Sequence, residues 1–270
     1  MNLAGRTGVV TGAASGIGRG IAFALARRGC NLALADVNEA GLAETAAMAA
    51  RDGIAISTHR LDVADRAAIA AFPDQVLARH GRADLLFNNA GVAVGGSFEQ
   101  VSEEDFEWLM DINFYGVVRL TRAFLPLLRS SDDARIVNIS SLFGLIAPPG
   151  QTAYCASKFA VRAFSESLRR ELEAVGAKIG VTVVHPGGVA TSIAKSARAP
   201  RGVNDVDLEA QKARFEKFLR MPPTQAGEII VSGAERGRPR VIVGNDAKFA
   251  ALVERIAPVA YWKFLGKGMQ

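Results

Sequence analysis

Tyr154 and Lys158 stand four residues apart in the run Tyr154-Cys155-Ala156-Ser157-Lys158, so on a helix they share one face about a turn apart. A free tyrosine, with a pKa of about 10, is a poor base near neutrality. An ammonium group beside it favours the phenolate and lowers that value. Such a tyrosine can take the proton of an alcohol hydroxyl, or return one to a carbonyl. Ser140 and Ser141 follow an apolar run upstream, and a serine hydroxyl there can bond the same substrate oxygen and steady alkoxide-like charge. A lone Tyr-x3-Lys more often marks a solvated helical face. The pair therefore needs support from the rest of the chain.

A glycine-rich turn supplies it. Thr11-Gly12-Ala13-Ala14-Ser15-Gly16-Ile17-Gly18 follows an apolar run of strand length and opens a helical stretch. Glycine at these positions lets the backbone turn sharply and lets a pyrophosphate approach the free N–H groups of the helix. Gly12, Ser15, Gly16, Ile17 and Gly18 are the candidate contacts. The spacing is Gly-x3-Gly-x-Gly, not the commoner G-x-G-x-x-G, and no lysine follows, which excludes a P-loop. Asp36 lies 18 residues past Gly18 at the exit of the second strand, where a carboxylate accepts bonds from the adenosine ribose hydroxyls. An aspartate there repels a 2′-phosphate, and neither Ala14 nor Val37 offers an arginine to attract one. The sequence favours NAD over NADP. The positive charge of an oxidised nicotinamide would also help Tyr154 to ionise.

These residues sit at the ends of alternating elements. Strand-like runs are expected at residues 7–11, 31–35, 54–61, 84–87, 136–139, 179–184 and 240–243, with helical patterns between them. The longest helical patterns cover 102–130 and 152–175. Continuous Val, Ile, Leu and Ala runs that alternate with helices imply a parallel sheet covered on both faces. The fold class is thus α/β, a doubly wound, seven-stranded parallel sheet of Rossmann-like form. One catalytic domain is expected over residues 1–245, with a lid at about 192–221 and a C-terminal extension at 246–270. The stretch after the sixth strand is far longer than an ordinary connection, and its Leu208, Phe215, Phe218 and Leu219 suit a cover over a site.

Composition excludes other classes. The 270 residues are 49% hydrophobic and 22% charged, which no disordered chain matches. There is no run of 18 apolar residues for a membrane span, and the amino terminus lacks the marks of a secretory signal. Two cysteines, Cys30 and Cys155, make no disulfide framework. A cytoplasmic protein is expected. The formal charge of +5 is unevenly placed: residues 1–194 carry net −1, 195–220 net +3, 221–234 net −1 and 235–270 net +4. No stacking aromatics or recognisable motif accompany the basic residues as a nucleic-acid module would require.

Together the motifs resemble the short-chain dehydrogenase/reductase family over nearly the whole chain. The matching features are the Thr11–Gly18 turn, Asp62-Val63, Asn88-Asn89-Ala90-Gly91, Asn113, Ser141, the Tyr154/Lys158 pair, and Pro186-Gly187-Gly188-Val189-Ala190-Thr191. The resemblance implies an NAD-dependent oxidoreductase with Asn113, Ser141, Tyr154 and Lys158 as its catalytic set. It selects Ser141 over Ser140, because the family's serine lies thirteen residues before the tyrosine. It implies that Asp62 and Val63 contact the adenine and that Asn89, Ala90 and Gly91 line the adenosine ribose side. Lys158 would also hold the nicotinamide ribose, and Asn113 would support a water linking Lys158 to solvent. Pro186, Gly187, Val189 and Thr191 would pack on the nicotinamide end. No metal is implied. A homo-oligomer, dimer or tetramer, is expected through the two long helices.

The apolar Leu142-Phe143-Gly144-Leu145-Ile146 and the aromatic lid lean toward a bulky apolar secondary alcohol or ketone, steroid-, acyl- or isoprenoid-like, with an anionic end facing the basic lid. In the extension, Phe249, Leu252, Val253 and Ile256 form an amphipathic stripe that Asp246 could cap. Docking on the core or a neighbouring subunit is one reading of that stripe, and contact with an anionic membrane is the other. An NAD-binding redox sensor or scaffold is the rival to an enzyme. The complete proton-transfer set, which a sensor does not need, argues against it.

Overall fold

The computed structural model describes residues 1–193, 196–199 and 218–266. Seven parallel strands form one sheet in the order β3-β2-β1-β4-β5-β6-β7. They are β1 Thr7–Thr11, β2 Asn31–Asp36, β3 Ile56–Arg60, β4 Leu85–Asn88, β5 Ala134–Ile139, β6 Ile179–Pro186 and β7 Arg240–Val243. The helices between them are α1 Gly16–Ala26, α2 Glu39–Ala49, α3 Arg66–His80, α4 Glu103–Met110, α5 Gly116–Arg129 and α6 Thr152–Ala174. After β6 come α7 Pro223–Glu235, α8 Asn245–Ile256 and the short α9 Tyr261–Leu265. The doubly wound fold expected from the alternating pattern is the observed one.

Alternate strand residues supply two separate cores, because successive side chains point to opposite faces of the sheet. Val10, Leu32, Leu34, Leu85 and Phe87 pack under α1, α2 and α7, against Ile21, Leu25, Leu42 and Ile230. Val9, Ala33, Leu86, Ile136 and Val181 pack under α3, α5 and α6, against Phe72, Val76, Phe124 and Leu172. Phe72 and Phe124 meet edge to face at 5.3 Å.

The helical pattern at 102–130 is not one helix. Ser102 caps α4 by accepting from the Asp105 N–H, and a π-helical turn, Asp111–Tyr115, separates α4 from α5. The wide turn shifts the register and carries Asn113 fully into the interior. Of the expected lid, residues 194–195 and 200–217, including Leu208 and Phe215, lie outside the described residues. Among the described residues no helix is long and apolar enough to cross a membrane, no group of metal-ligating side chains is present, and Cys30 and Cys155 are both free and buried.

The amino ends of the central strands β1 and β4, remote from the glycine turn, are pinned by Asp84, whose side chain is fully buried. It accepts from the Thr7 N–H at 2.9 Å, Ser131 Oγ at 2.7 Å, Arg82 Nε at 2.7 Å and an Arg6 nitrogen at 3.1 Å. Burial alone would raise its pKa; the bonds from Arg82, Ser131 and Thr7 outweigh that and hold it below the usual carboxylate range. Removing one member of a buried charged cluster leaves the others unpaired, at about 3 kcal/mol or more. Asp84→Ala is therefore expected to lower the unfolding temperature by about 10 °C, read by calorimetry. A fall of less than about 2 °C would show that water replaces the carboxylate freely.

Candidate active site

Order reverses between β1 and β4, and the loops leaving the two strands diverge to open a crevice at their carboxyl ends. Thr11, the last residue of β1, fixes this point. Its Oγ1 accepts from the N–H groups of Asn89 and Ala90 at 3.0 and 3.1 Å and donates to the Phe87 carbonyl. The Asn89 side-chain amide donates to the carbonyls of Thr11 and Gly12 at 2.9 and 3.2 Å.

The glycine turn lies on one side of the crevice. A Cβ on Gly18 would stand 2.0 Å from the Gly12 carbonyl oxygen, so only glycine lets the first helical turn close onto the loop. Ser15 is the N-cap residue of α1, with no side-chain cap bond. Asp36 Oδ2 accepts from the Ala14 N–H and Oδ1 from the Asn38 N–H, both at 3.0 Å. The carboxylate is thus fixed against the turn, and helix α2 is capped by Asn38 rather than by Asp36. Asp62, exposed, and Val63, buried, follow β3 on the same edge of the sheet; Asp62 Oδ1 accepts from the Ala64 N–H.

On the other side, α6 delivers Tyr154 and Lys158 to one point. Lys158 is buried, its Nζ donates to the Ile139 carbonyl at 3.2 Å, and it lies 5.6 Å from the Tyr154 ring centroid. Burial pulls its pKa down to about 8. Tyr154 moves the other way: burial pushes it up to about 12, while a hydrogen bond with Ser141 pulls it down. The lowering expected from the neighbouring ammonium is absent, because desolvation outweighs a charge at that separation. Burial thus favours the protonated phenol of Tyr154.

The two serines are distinguished by their partners. Ser140 is buried, and its hydroxyl donates to the Lys158 carbonyl at 2.8 Å, which ties the strand end to α6. Ser141 is half-buried and faces Tyr154; its Oγ accepts from the Phe143 N–H at 3.1 Å. Asn113 Oδ1 accepts from the Val92 N–H at 2.8 Å, and Nδ2 donates to the Val92 carbonyl and to Ser157 Oγ. It thereby fixes the segment that follows Asn89-Ala90-Gly91 to the helix carrying Tyr154. At Gly91 an added Cβ would lie 3.1 Å from Asn113 Oδ1 and 3.4 Å from Lys158 Nζ, so the space there is kept for something other than a side chain.

After β6, Pro186 and Val189 are buried or nearly so, and Thr191 comes within reach of the Gly16 backbone. Three further residues shape this part of the site. Asp246 does not cap α8, whose N-cap is Gly244; instead its Oδ2 accepts from the Gly188 N–H at 2.7 Å. Tyr261 Oη accepts from the Ala147 N–H at 3.0 Å. His185, fully buried, donates from Nδ1 to the Ser141 carbonyl at 3.0 Å, the tautomer that an acceptor-only carbonyl requires. Burial drives its pKa down to about 4, so the ring is neutral near pH 7. Sequence spacing gives no signal for these contacts, since each joins residues far apart in the chain.

The residues fit a dinucleotide. A glycine cradle opens at a helix N-terminus, and a carboxylate is fixed at the far end of β2. At the other end of the crevice a buried ammonium uses one acceptor among the described residues and leaves two N–H bonds to donate. The wall around Tyr154 is apolar: Val92, Val94, Phe106 and Trp108 pack with it, and Phe143 meets its ring edge to face at 6.2 Å. Arg198 closes part of this wall. Its N–H donates to the Ala93 carbonyl, its guanidinium lies 3.5 Å over the Trp108 ring, and one nitrogen is 2.8 Å from Asp105.

Residues 6–202 match the family model for short chain dehydrogenase. SadH of Mycobacterium tuberculosis is 42% identical over 98% of this chain and 95% of that protein. Oxidoreductase UcpA of Escherichia coli is 38% identical over 84% of this chain and 86% of its own length. Among solved structures, a short chain dehydrogenase/reductase from Burkholderia phymatum in complex with NAD superposes with a TM-score of 0.87 at 29% identity, covering 95% of both chains. An alcohol dehydrogenase from Thermococcus sibiricus complexed with 5-hydroxy-NADP gives a TM-score of 0.73 at 26% identity, over 88% of this chain and 94% of that one. With its doubly wound sheet and its crevice at the β1/β4 switch, the chain belongs to the short-chain dehydrogenase/reductase family and is an oxidoreductase.

Proposed function

We propose that the protein is an NAD-dependent oxidoreductase that interconverts a bulky, apolar secondary alcohol and its ketone. The observation that carries the chemistry is the convergence of Ser141 and Lys158 on Tyr154 inside an apolar wall. Gly12, Ser15, Gly16, Ile17 and Gly18 would hold the pyrophosphate, Asp36 the adenosine ribose, and Asp62 and Val63 the adenine. Asn89, Ala90 and Gly91 would line the ribose side, Lys158 would hold the second ribose, and Pro186, Gly187, Val189 and Thr191 the carboxamide end. When bound, the nicotinamide supplies or accepts the hydride.

The chain's own part is proton transfer and orientation. Tyr154 Oη donates its proton to the carbonyl oxygen in reduction and recovers it in oxidation. Ser141 Oγ holds the same oxygen and stabilises the charge that builds on it. The Lys158 ammonium offsets phenolate charge on Tyr154 once the proton has left, and Asn113 holds the Val92 loop against α6. His185 keeps the Ser141 backbone in place from behind. The apolar surroundings of Tyr154 exclude water and favour a hydrocarbon-rich substrate. Arg198 is already paired with Asp105 and Trp108, so an anionic end on the substrate gains nothing from it.

Tyr154→Phe removes the transferable proton and leaves the ring packing intact. NADH absorbance with a panel of secondary alcohols and ketones is expected to show a loss of turnover of about a hundredfold or more, the scale of acid–base catalysis, with dinucleotide binding retained. Unchanged turnover would remove Tyr154 from the chemistry, and activity confined to short polar polyols would overturn the substrate class.

Asp36 carries the preference for NAD. Its carboxylate is held by Ala14 and Asn38, so it cannot swing away from a 2′-phosphate. Asp36→Ala is expected to weaken NAD by about tenfold, the value of a charge-assisted bond, and to improve NADP. Isothermal titration with both dinucleotides checks this, and an unchanged ratio of affinities would contradict it.

A further inference from the structure

The largest side chains of α8 point away from the protein, while Val253 packs partly buried on the core. Its buried residues are the small Ala247 and Ala250, which pack beside Leu142 and Ile146. Phe249, Leu252 and Ile256, one stripe at three- and four-residue steps, are 62%, 55% and 74% exposed. Val259 and Phe264 extend the stripe into the segment that follows, at 93% and 67%. A helix built to dock on the core would show the reverse arrangement. Contiguous exposed apolar surface rimmed by polar groups marks an interaction site rather than ordinary surface.

The charges beside the stripe decide between occupants. Lys248, Arg255 and Lys263 are exposed next to it, and none is in an ion pair among the described residues. Of the nearby carboxylates, Asp246 is bound to the Gly188 N–H, Glu235 to Arg28, and the half-buried Glu254 of α8 acts on Arg240. Residues 235–270 hold seven basic groups against three acidic ones. A second copy pairing through the same face would bring these cations together, at an electrostatic cost. An apolar stripe flanked by lysine and arginine matches a helix lying in the headgroup layer of an anionic membrane.

We propose that α8 and the segment through Phe264 form a peripheral docking surface for anionic lipid bilayers. The surface inserts Phe249, Leu252, Ile256, Val259 and Phe264 at the acyl boundary, and Lys248, Arg255 and Lys263 meet the headgroups. The inner face of the same helix stays on Leu142 and Ile146, so docking requires no unfolding. The proposal does not depend on the substrate assigned above.

The test is flotation of the full chain with vesicles of phosphatidylcholine alone and of phosphatidylcholine mixed with phosphatidylglycerol. Binding to the mixed vesicles is expected, with release at high salt. Phe249→Ser/Ile256→Ser should abolish it, and Lys248→Glu/Arg255→Glu should weaken it by about tenfold or more; all four positions are exposed, so folding and activity serve as controls. Failure of the wild type to float with either vesicle overturns the proposal. Equal flotation with both, unaffected by charge reversal, does so as well. Light scattering gives a further contrary result: an oligomer that Phe249→Ser/Ile256→Ser converts to monomer, without vesicle binding, would make the face a subunit contact.

Discussion

The hydroxyl of Thr11 holds the crevice on which the rest of the site depends. It takes two backbone N–H groups from the loop after β4 and gives its own proton to the Phe87 carbonyl, while Asn89 returns two bonds to the loop after β1. These bonds tie the starts of the two diverging loops together at the point where strand order reverses, and satisfy backbone groups that would otherwise be buried without partners. The glycine turn and Asp36 lie on one side of this junction. Asn113, Ser141, Tyr154 and Lys158 lie on the other. Nearly all of the remaining fold serves to hold these two groups at a constant separation.

Burial sets the electrostatics of the second group. A lysine with a pKa lowered to about 8 and a phenol with a pKa raised to about 12 sit together in an apolar wall, because burial disfavours the charged form of each. In the proposed mechanism such a site donates a proton to a carbonyl and acts as a base once further positive charge arrives, which would tie the direction of proton transfer to what occupies the crevice. The C-terminal segment adds stiffness through Asp246 on Gly188 and Tyr261 on Ala147, which fixes the loops on either side of Ser141 and Pro186.

Much of this was legible in the chain. The strands announce themselves because parallel strands buried on both faces must be continuous Val, Ile, Leu and Ala runs, and each matches its expected place within about two residues. The glycine turn, Asp36 and the Tyr154/Lys158 pair are local patterns with local causes. What remained hidden arises from packing over long sequence distances. The π-helical turn at Asp111–Tyr115, which shifts the helical register and rotates Asn113 inward, leaves no local mark in the sequence. Periodicity finds the stripe on α8 but carries no sign, and the alanines, not the phenylalanine and leucine, turned out to face the core. The charge of Lys158 is visible in sequence and the desolvation of Tyr154 is not, which is why the direction of the tyrosine's shift reversed.

Tyr154 is proposed to carry the proton, with an acidity that answers to charge placed in the crevice. The test is pH titration of the ring carbon of carbon-13-labelled Tyr154 by NMR, in the protein alone and with oxidised dinucleotide bound. A value near 12 in the protein alone and a clear fall on binding are expected, with the fall reduced in Lys158→Met. A titration that stays near 12 with the dinucleotide bound, while the enzyme turns over at neutral pH, would contradict it.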